Sequence, residues 1–124
     1  MKISQNSSAK EVRLSRDAEV VIAGAYTTTN AFADMTDAII DTLGYESVAI
    51  ILNNTGGSNG ASWKILGSIN GSTYVEVVAS ANVAAGATGT AYTNSQAPYR
   101  YYKIQAKDQV NDSHTTVTAH LLAK

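Results

Sequence analysis

The stretch SWKILGSINGSTYVEVVAS, residues 62–80, carries the clearest structural pattern of the chain. Over Ser62–Ile69 apolar and polar side chains alternate, which predicts that one side of a strand holds Trp63, Ile65 and Ile69. The Asn-Gly pair that follows is typical of tight β-turns. Tyr74–Ala79 then returns with several β-branched residues, so the stretch predicts a β-hairpin.

Outward from this hairpin, further short runs have the composition of strands and are separated by segments rich in Gly, Asn and Ser. Ser47–Asn53 is the most apolar run and is predicted as a central strand. Glu19–Thr27 has apolar or small residues on both faces, which predicts a strand covered on both sides. Residues 81–91 have little side-chain bulk and are predicted as a loop. The remaining predicted strands are Glu11–Leu14, Tyr99–Lys107 and Thr115–Ala123.

The segment 27–44 has an ambiguous pattern. Its large apolar residues fall near helical spacing, at Phe32, Met35, Ile39, Ile40 and Leu43. Strand patterns flank it on both sides, and a glycine closes it. We therefore predict a loop with at most one or two helical turns, followed by an extended stretch around Ala38–Leu43.

Short strands at fairly even spacing, separated by turn residues, are typical of a sandwich or barrel. We predict an all-β chain that folds as an antiparallel β-sandwich of jelly-roll type. A length of 124 residues fits one domain. Residues 11–124 are predicted to form it, and the polar residues 1–10 to be a flexible N-terminal arm, with a weakly held first strand as the alternative. The expected core consists of Val48, Ile50, Leu52, Trp63, Ile65, Val77, Tyr102, Ile104, Val117 and Leu121.

Composition excludes several classes of function. The net charge is -1 with Lys and Arg scattered along the chain, so no basic patch predicts nucleic-acid binding. No run approaches the roughly 20 apolar residues that a membrane-spanning helix needs. The first ten residues lack the apolar stretch of a signal peptide. The chain has no cysteine, so it can form neither disulfides nor Cys-based zinc sites.

Candidate metal ligands are few. His114 and His120 lack further close ligands and are interpreted as structural or solvated. Asp34, Asp37 and Asp41 would converge only if their segment were helical, and their spacing matches no calcium loop. Turn and helix-start positions explain these aspartates better than a metal does.

One turn, residues 108–114, also offers oxygen ligands through Asp108, Asn111 and Asp112. Such residues are common in turns because they form local hydrogen bonds, which favours a structural role over a surface calcium site. No G-x-S-x-G nucleophile motif or phosphate-binding loop occurs in the chain. The sequence therefore predicts no catalytic residue, no metal and no cofactor.

Tyrosine is the enriched aromatic residue, and three tyrosines surround one arginine at Tyr99, Arg100, Tyr101 and Tyr102. Tyrosine and arginine favour protein contact surfaces, and aromatic faces also bind sugars. Ordinary packing within a sandwich, with the hydroxyl at the surface, is the alternative interpretation.

A characteristic order of strands and turns extends over three stretches of the sequence: GYESVAIILNNTGG (44–57), residues 62–80 and APYRYYKIQAKD (97–108). Over residues 44–124 this order resembles discoidin-like jelly rolls and the small β-sandwich decoration or accessory proteins of tailed-phage heads. The resemblance implies a virion structural protein on the capsid exterior, made in the host cytoplasm and in contact with the major capsid protein or another virion protein. The alternative is a carbohydrate-binding module or a receptor-binding tail or fibre module.

Attachment is expected to involve several copies, with a trimer favoured. A sandwich leaves open strand edges, and the predicted outer strands carry few charges that would block pairing. The arm could add a strand to a partner's sheet. The residues expected to contact a partner are Ile3, Gln5, Tyr99 and Tyr101.

Overall fold

The computed structural model describes residues 18–89 and 92–124. This part of the chain contains eight strands: β1 Glu19–Thr27, β2 Ala33–Asp41, β3 Val48–Asn54, β4 Ala61–Ser68, β5 Val75–Val83, β6 Tyr92–Asn94, β7 Tyr101–Asp108 and β8 Thr116–Ala123. The predicted arm at residues 1–10 and the predicted strand Glu11–Leu14 lie outside the described residues.

The strands form two four-stranded antiparallel sheets, ordered β1-β8-β3-β6 and β2-β7-β4-β5. Each sheet combines strands that are distant in sequence, and the chain crosses repeatedly from one sheet to the other. This is the strand order of a jelly roll, in which two Greek keys form a double sheet. The prediction of an antiparallel all-β sandwich is confirmed, and the described residues contain no helix.

The predicted hairpin is the pair β4–β5, but its turn is longer than an Asn-Gly turn. The hydroxyl of Ser68 accepts hydrogen bonds from the N–H groups of Asn70 and Gly71, and Gly71 has a φ of 80°. Ile69 belongs to this turn and is 74 % exposed, so its predicted place beside Trp63 and Ile65 is wrong. Alternation could not reveal that the strand ends one residue earlier, at Ser68.

Strand β2 replaces the predicted loop and helical turns of segment 27–44. Asp34 pairs with Gln105 and Ile39 with Lys103, so the four residues 35–38 lie opposite Ile104 alone. Asp37 adopts a φ of 62° inside this bulge. Extra residues in a bulge change which side chains face inward. Here the inward residues are Met35, Ala38 and Ile40, whereas Ile39 and Leu43 of the apparent helical pattern are 46 % and 60 % exposed.

Strand β1 is the outermost strand of its sheet among the described residues, and the prediction that both of its sides are covered is wrong. Val20 and Ile22 are 58 % and 65 % exposed. A bulge between Ala23 and Tyr26 moves Tyr26 to the inward face, away from Val20 and Ile22.

The region 81–91 was predicted as loop, and its beginning is instead strand. β5 continues to Val83, which is buried, and β6 forms a three-residue outer strand that pairs with β3. The small residues of this region show no alternation of apolar and polar side chains, so the sequence does not predict a strand. In the structure, Ala81 nevertheless pairs with Trp63 across the hairpin.

The core lies between the two sheets. Nine of the ten expected core residues are buried, and Val77 is half-buried and packs against them. Several alanines outside the expected set complete the core because they let the two sheets approach closely: Ala23, Ala38, Ala61, Ala106, Ala119 and Ala123.

Candidate functional site

Four of the seven buried polar residues of the described chain lie at the end of the sandwich where β7 ends and β8 begins. At its centre is Asp108, which has no exposed surface. Thr28 donates its hydroxyl hydrogen bond to Asp108 over 2.5 Å, and Nδ1 of His114 lies 2.7 Å from the other carboxylate oxygen. A buried carboxylate is unfavourable unless it is hydrogen-bonded, and both oxygens of Asp108 have a partner.

Thr115 connects Asp108 to a second buried centre. The backbone N–H of Thr115 donates to the hydroxyl of Thr28 over 2.9 Å, and its own hydroxyl donates to Oδ1 of Asn54 over 2.7 Å. These residues form one continuous set of hydrogen bonds, here called the polar network: Thr28, Asn54, Asp108, His114 and Thr115.

Asn54 uses its whole side-chain amide. Nδ2 donates to the carbonyl oxygens of Asn59 and Val83, at 2.9 and 3.1 Å. Oδ1 accepts from the N–H of Gly56 as well as from Thr115. The polar network therefore joins the loops that follow β1, β3, β5 and β7. The sequence analysis did not predict this network, because its hydrogen-bond partners are far apart along the chain.

The pair of Asp108 and His114 has the geometry of an acid–base pair but lacks a nucleophile. The hydroxyl of Thr28 bonds the carboxylate and not the imidazole. In a Ser-His-Asp triad the nucleophilic hydroxyl is instead hydrogen-bonded to the histidine. The arrangement in the described residues orders loops, and the absence of catalytic activity stays a prediction.

The aspartates of β2 do not converge on a metal site. Asp34 accepts hydrogen bonds from Lys103 and Gln105, and Asp41 pairs with Arg100. Within residues 18–89 and 92–124, no three His, Cys, Asp or Glu side chains are grouped so that they could hold a metal ion.

The candidate oxygen ligands of the turn 108–114 point in different directions. Asp108 points into the polar network, whereas Asp112 exchanges two hydrogen bonds of 2.8 Å with Asn30. Asp112 also has a φ of 66°, which aspartate tolerates better than most residues. These contacts support the structural interpretation of the turn. His120 lies far from it along β8, between Ile22 and Ile51.

The two sheets have chemically different outer faces. The outer face of β2-β7-β4-β5, here called the ion-paired face, carries Lys64–Glu76 at 3.6 Å, Lys103–Asp34 at 3.0 Å and Arg100–Asp41 at 3.2 Å. Its lysines also lie over aromatic rings: the Nζ atom of Lys103 is 4.0 Å from the ring centre of Tyr74, and that of Lys64 is 4.5 Å from that of Phe32.

These pairs affect the ionisation of the carboxylates. Partial burial acts to raise the pKa of Asp34, but hydrogen bonds from Gln105 and Lys103 outweigh it and lower the pKa below its usual value. Hydrogen bonds from Arg100 and from the N–H of Leu43 lower the pKa of Asp41. Both carboxylates are therefore held in their charged form on this face.

On the outer face of β1-β8-β3-β6, here called the neutral face, no outward position paired between the described strands holds Asp, Glu, Lys or Arg. Lys124, which follows β8, lies at the end of this face, beside Leu122, Ala49 and Thr93. Residues paired directly across antiparallel strands share a face. One such row crosses all four strands as Val20, Leu122, Ala49 and Thr93, and the next contains Ile22, His120 and Ile51. The remaining paired outward positions hold Thr27, Asn53, Thr116 and Thr118.

The tyrosine group is divided between the core and the surface. Tyr102 is fully buried, its ring centre 5.9 Å from that of Tyr99 in an edge-to-face arrangement, and burial raises the pKa of the Tyr102 hydroxyl. Half-buried Tyr99 packs over Gly67, where a Cβ would lie 2.7 Å from the ring. Tyr101 lies beside Arg100, whose guanidinium is 4.9 Å from the ring centre.

Two of the residues expected to contact a partner, Tyr99 and Tyr101, therefore lie on different sides of their sheet. Tyr99 packs against the inward residues Gly67 and Tyr102, whereas Tyr101 is paired with Asp41 on the ion-paired face. Tyr99 also forms a wall of an open groove of about 380 Å³. The groove is otherwise lined by Gly67, Ser68, Ile69, Asn70, Thr73 and Val75. The other two expected contact residues, Ile3 and Gln5, lie outside the described residues.

The part of the chain that the structure describes includes no helix that could cross a lipid bilayer.

No protein-family model matches the sequence, and no curated protein matches it. Solved structures do match. Bacillus endospore appendages, which form disulfide-linked pili, have 16 % identity and a TM-score of 0.50, with 87 % of each chain covered.

Phage-derived proteins are also among the similar structures. The SPBc2 prophage-derived protein YomS has 7 % identity and a TM-score of 0.49, with 86 % of this chain and 96 % of that one covered. The PBSX exported protein XepA has 19 % identity and a TM-score of 0.49, and the match covers 89 % of this chain but 37 % of XepA. At these identities the comparisons concern the fold.

Proposed function

We propose that this chain is a virion structural protein that binds the exterior of a tailed-phage capsid as a decoration or cement protein. The observation that carries a structural role is the contrast between the two outer faces. An ion-paired face is suited to water, whereas a neutral face of small and apolar residues loses little hydration when another protein covers it. The phage setting comes from the resemblance of residues 44–124 to tailed-phage decoration proteins.

The same proposal includes the absence of catalytic activity. The polar groups with acid–base chemistry, Asp108 and His114, are engaged with each other and with Thr28 at the base of the loops. Their hydrogen bonds stabilise the fold, and no hydroxyl nucleophile of the network contacts the imidazole.

The proposed partner is the major capsid protein or another virion protein. We propose that the protein attaches as a homo-oligomer, a trimer on a local threefold axis of the head. Repeated weak contacts on a symmetric surface gain affinity without new chemistry. Residues 1–10, with Ile3 and Gln5, would add a contact to a neighbouring sheet.

The experiment locates the protein in purified particles by mass spectrometry and electron microscopy, and then measures its binding to heads that lack it. The full chain should bind on the outside. Ile3→Asp should weaken binding at least tenfold, about 1.4 kcal/mol, because it places a charge within an apolar contact. Ser8→Asp is the matched control with the same added charge and should have a smaller effect. Absence from the particle exterior would refute the decoration role.

A second candidate function is a carbohydrate-binding or receptor-binding module. The groove beside Tyr99 favours it, because an aromatic wall next to the polar side chains of Asn70 and Thr73 can contact a sugar. Screening on a glycan array distinguishes the two functions. Specific binding that is lost in Tyr99→Ala or Tyr101→Ala, in a protein that is absent from capsids, would favour this alternative.

A further inference from the structure

We propose that the neutral face is the surface through which one copy of this chain contacts another. The inference rests on the homo-oligomer in the proposed function and names the surface that holds it together. It follows from the pairing register, the charge distribution and the size of the face.

The register determines which side chains would meet a neighbour. Val20 and Ile22 extend from the outer strand β1 and are more than half exposed. They lie beside Leu122 and His120 of β8, which in turn lie beside Ala49 and Ile51 of β3. The apolar side chains of three adjacent strands are therefore contiguous, and exposed contiguous apolar patches mark contact sites more often than isolated residues do.

The distribution of charged residues over the two outer faces favours a second copy of this chain as the partner that covers the neutral face. The paired strand positions of this face hold no acidic or basic residue, and Lys124 lies only at its end, beyond β8. Such a surface can meet another copy over most of its area without repulsion between like charges and without stripping water from an ion. The ion-paired face cannot do this, because the three ion pairs of Asp34, Asp41 and Glu76 would each have to be dehydrated. Of the two sheet faces, the neutral one is therefore suited to self-association.

The size of the face predicts the strength of the contact. Four strands about 4.8 Å apart, with about seven residues at 3.3 Å each, give a face of roughly 450 Å² per copy. Two copies that meet over the whole face would bury roughly 900 Å², and two neighbours in a trimer, which share the face, would bury less. Both values are below the roughly 1,200 Å² at which stable interfaces begin. We therefore expect weak, reversible association in solution, which becomes effective when many copies are held side by side.

The experiment is analytical ultracentrifugation of the full chain over a wide concentration range. Wild type should associate, and Ile22→Lys and Ile51→Lys should each raise the dissociation constant at least tenfold, because each buries a charge without a partner. Ile39→Lys is the matched control: Ile39 is 46 % exposed on β2 of the other sheet, and its replacement should leave association unchanged. Circular dichroism and thermal melting verify that all three variants fold.

Salt provides an independent measurement. Contacts between exposed charges weaken as ionic strength rises, whereas a neutral apolar contact does not. Association of the wild type should therefore persist in high salt. A dissociation constant that rises steeply with salt would overturn the proposal.

The remaining outcomes separate this inference from the proposed function. A monomeric wild type at high concentration, or an oligomer that survives both face variants, would overturn the contact between copies. If such a monomer still binds heads and Ile22→Lys abolishes that binding, the neutral face contacts the capsid and the decoration role stands. Association gained on removal of residues 1–17 would show that the chain's own N-terminal segment covers the face, which also overturns the inference.

Discussion

Replacing Asp108 with alanine should lower the free energy of unfolding by about 3 kcal/mol, because a fully buried hydrogen-bonding centre is lost. The hydroxyl of Thr28 would lose its acceptor inside the protein, and His114 would lose its partner. Urea denaturation followed by tryptophan fluorescence measures the change through the buried Trp63.

Two further variants identify the source of the loss. His114→Ala should cost less, about 1 kcal/mol, because the histidine side chain is 52 % exposed and its removal lets water reach the carboxylate oxygen that it leaves. Asp108→Asn keeps the shape and part of the hydrogen bonding, so it should fall between the two. If Asp108→Ala is no more destabilising than His114→Ala, the carboxylate is not the centre of the polar network.

Asn54→Ala should destabilise the protein by a similar amount, about 3 kcal/mol. The change leaves the carbonyl oxygens of Asn59 and Val83 and the N–H of Gly56 without their side-chain partner. Hydrogen exchange should show loss of protection first in the loop 55–60, because this side chain bonds the loop at both Gly56 and Asn59.

Asn53→Ala is the matched control, since Asn53 is the neighbouring asparagine on the same strand and points to the outer face opposite Thr118. Its replacement should cost less than about 0.5 kcal/mol. Equal losses at the two positions would mean that the amide hydrogen bonds of Asn54 contribute nothing beyond those of a surface residue.

The sequence predicted those elements in which alternation is unbroken. In β7 and β8, Tyr102, Ile104, Val117 and Leu121 alternate with half-exposed residues without interruption, and all four are buried as expected. A strand with a regular period of two has only one way to bury its apolar side chains. For such strands, the residues themselves determine the inward face.

Prediction failed where a bulge or a sheet boundary changed the period. The bulge around Asp37 broke the period of two in β2, and the outer position of β1 left Val20 and Ile22 exposed. Neither the bulge nor the position of a strand within its sheet is encoded in local periodicity. Both depend on which distant strand lies alongside.

The polar network was missed for the same physical reason. Asp108 is interpreted from the sequence as a turn residue, and the predicted strand Ser47–Asn53 ends one residue before Asn54. Their burial depends on Thr28 and Thr115, which approach them only after the two sheets have come together. The one sequence signal for their burial was that each polar residue stands at the end of an apolar strand. Many exposed polar residues also stand at strand ends, so this signal does not distinguish buried from exposed residues.

The position of β8 has a consequence for how the chain reaches its native state. β8 pairs with β1 on one side and β3 on the other, and β7 pairs with β2 and β4. During synthesis on the ribosome, neither sheet can form completely until residues 101–123 have been made. The backbone N–H and C=O groups at the edges of the earlier strands stay unpaired until then. Such long-range pairing gives folding times of milliseconds to seconds, during which the nascent chain is exposed to aggregation and to chaperones.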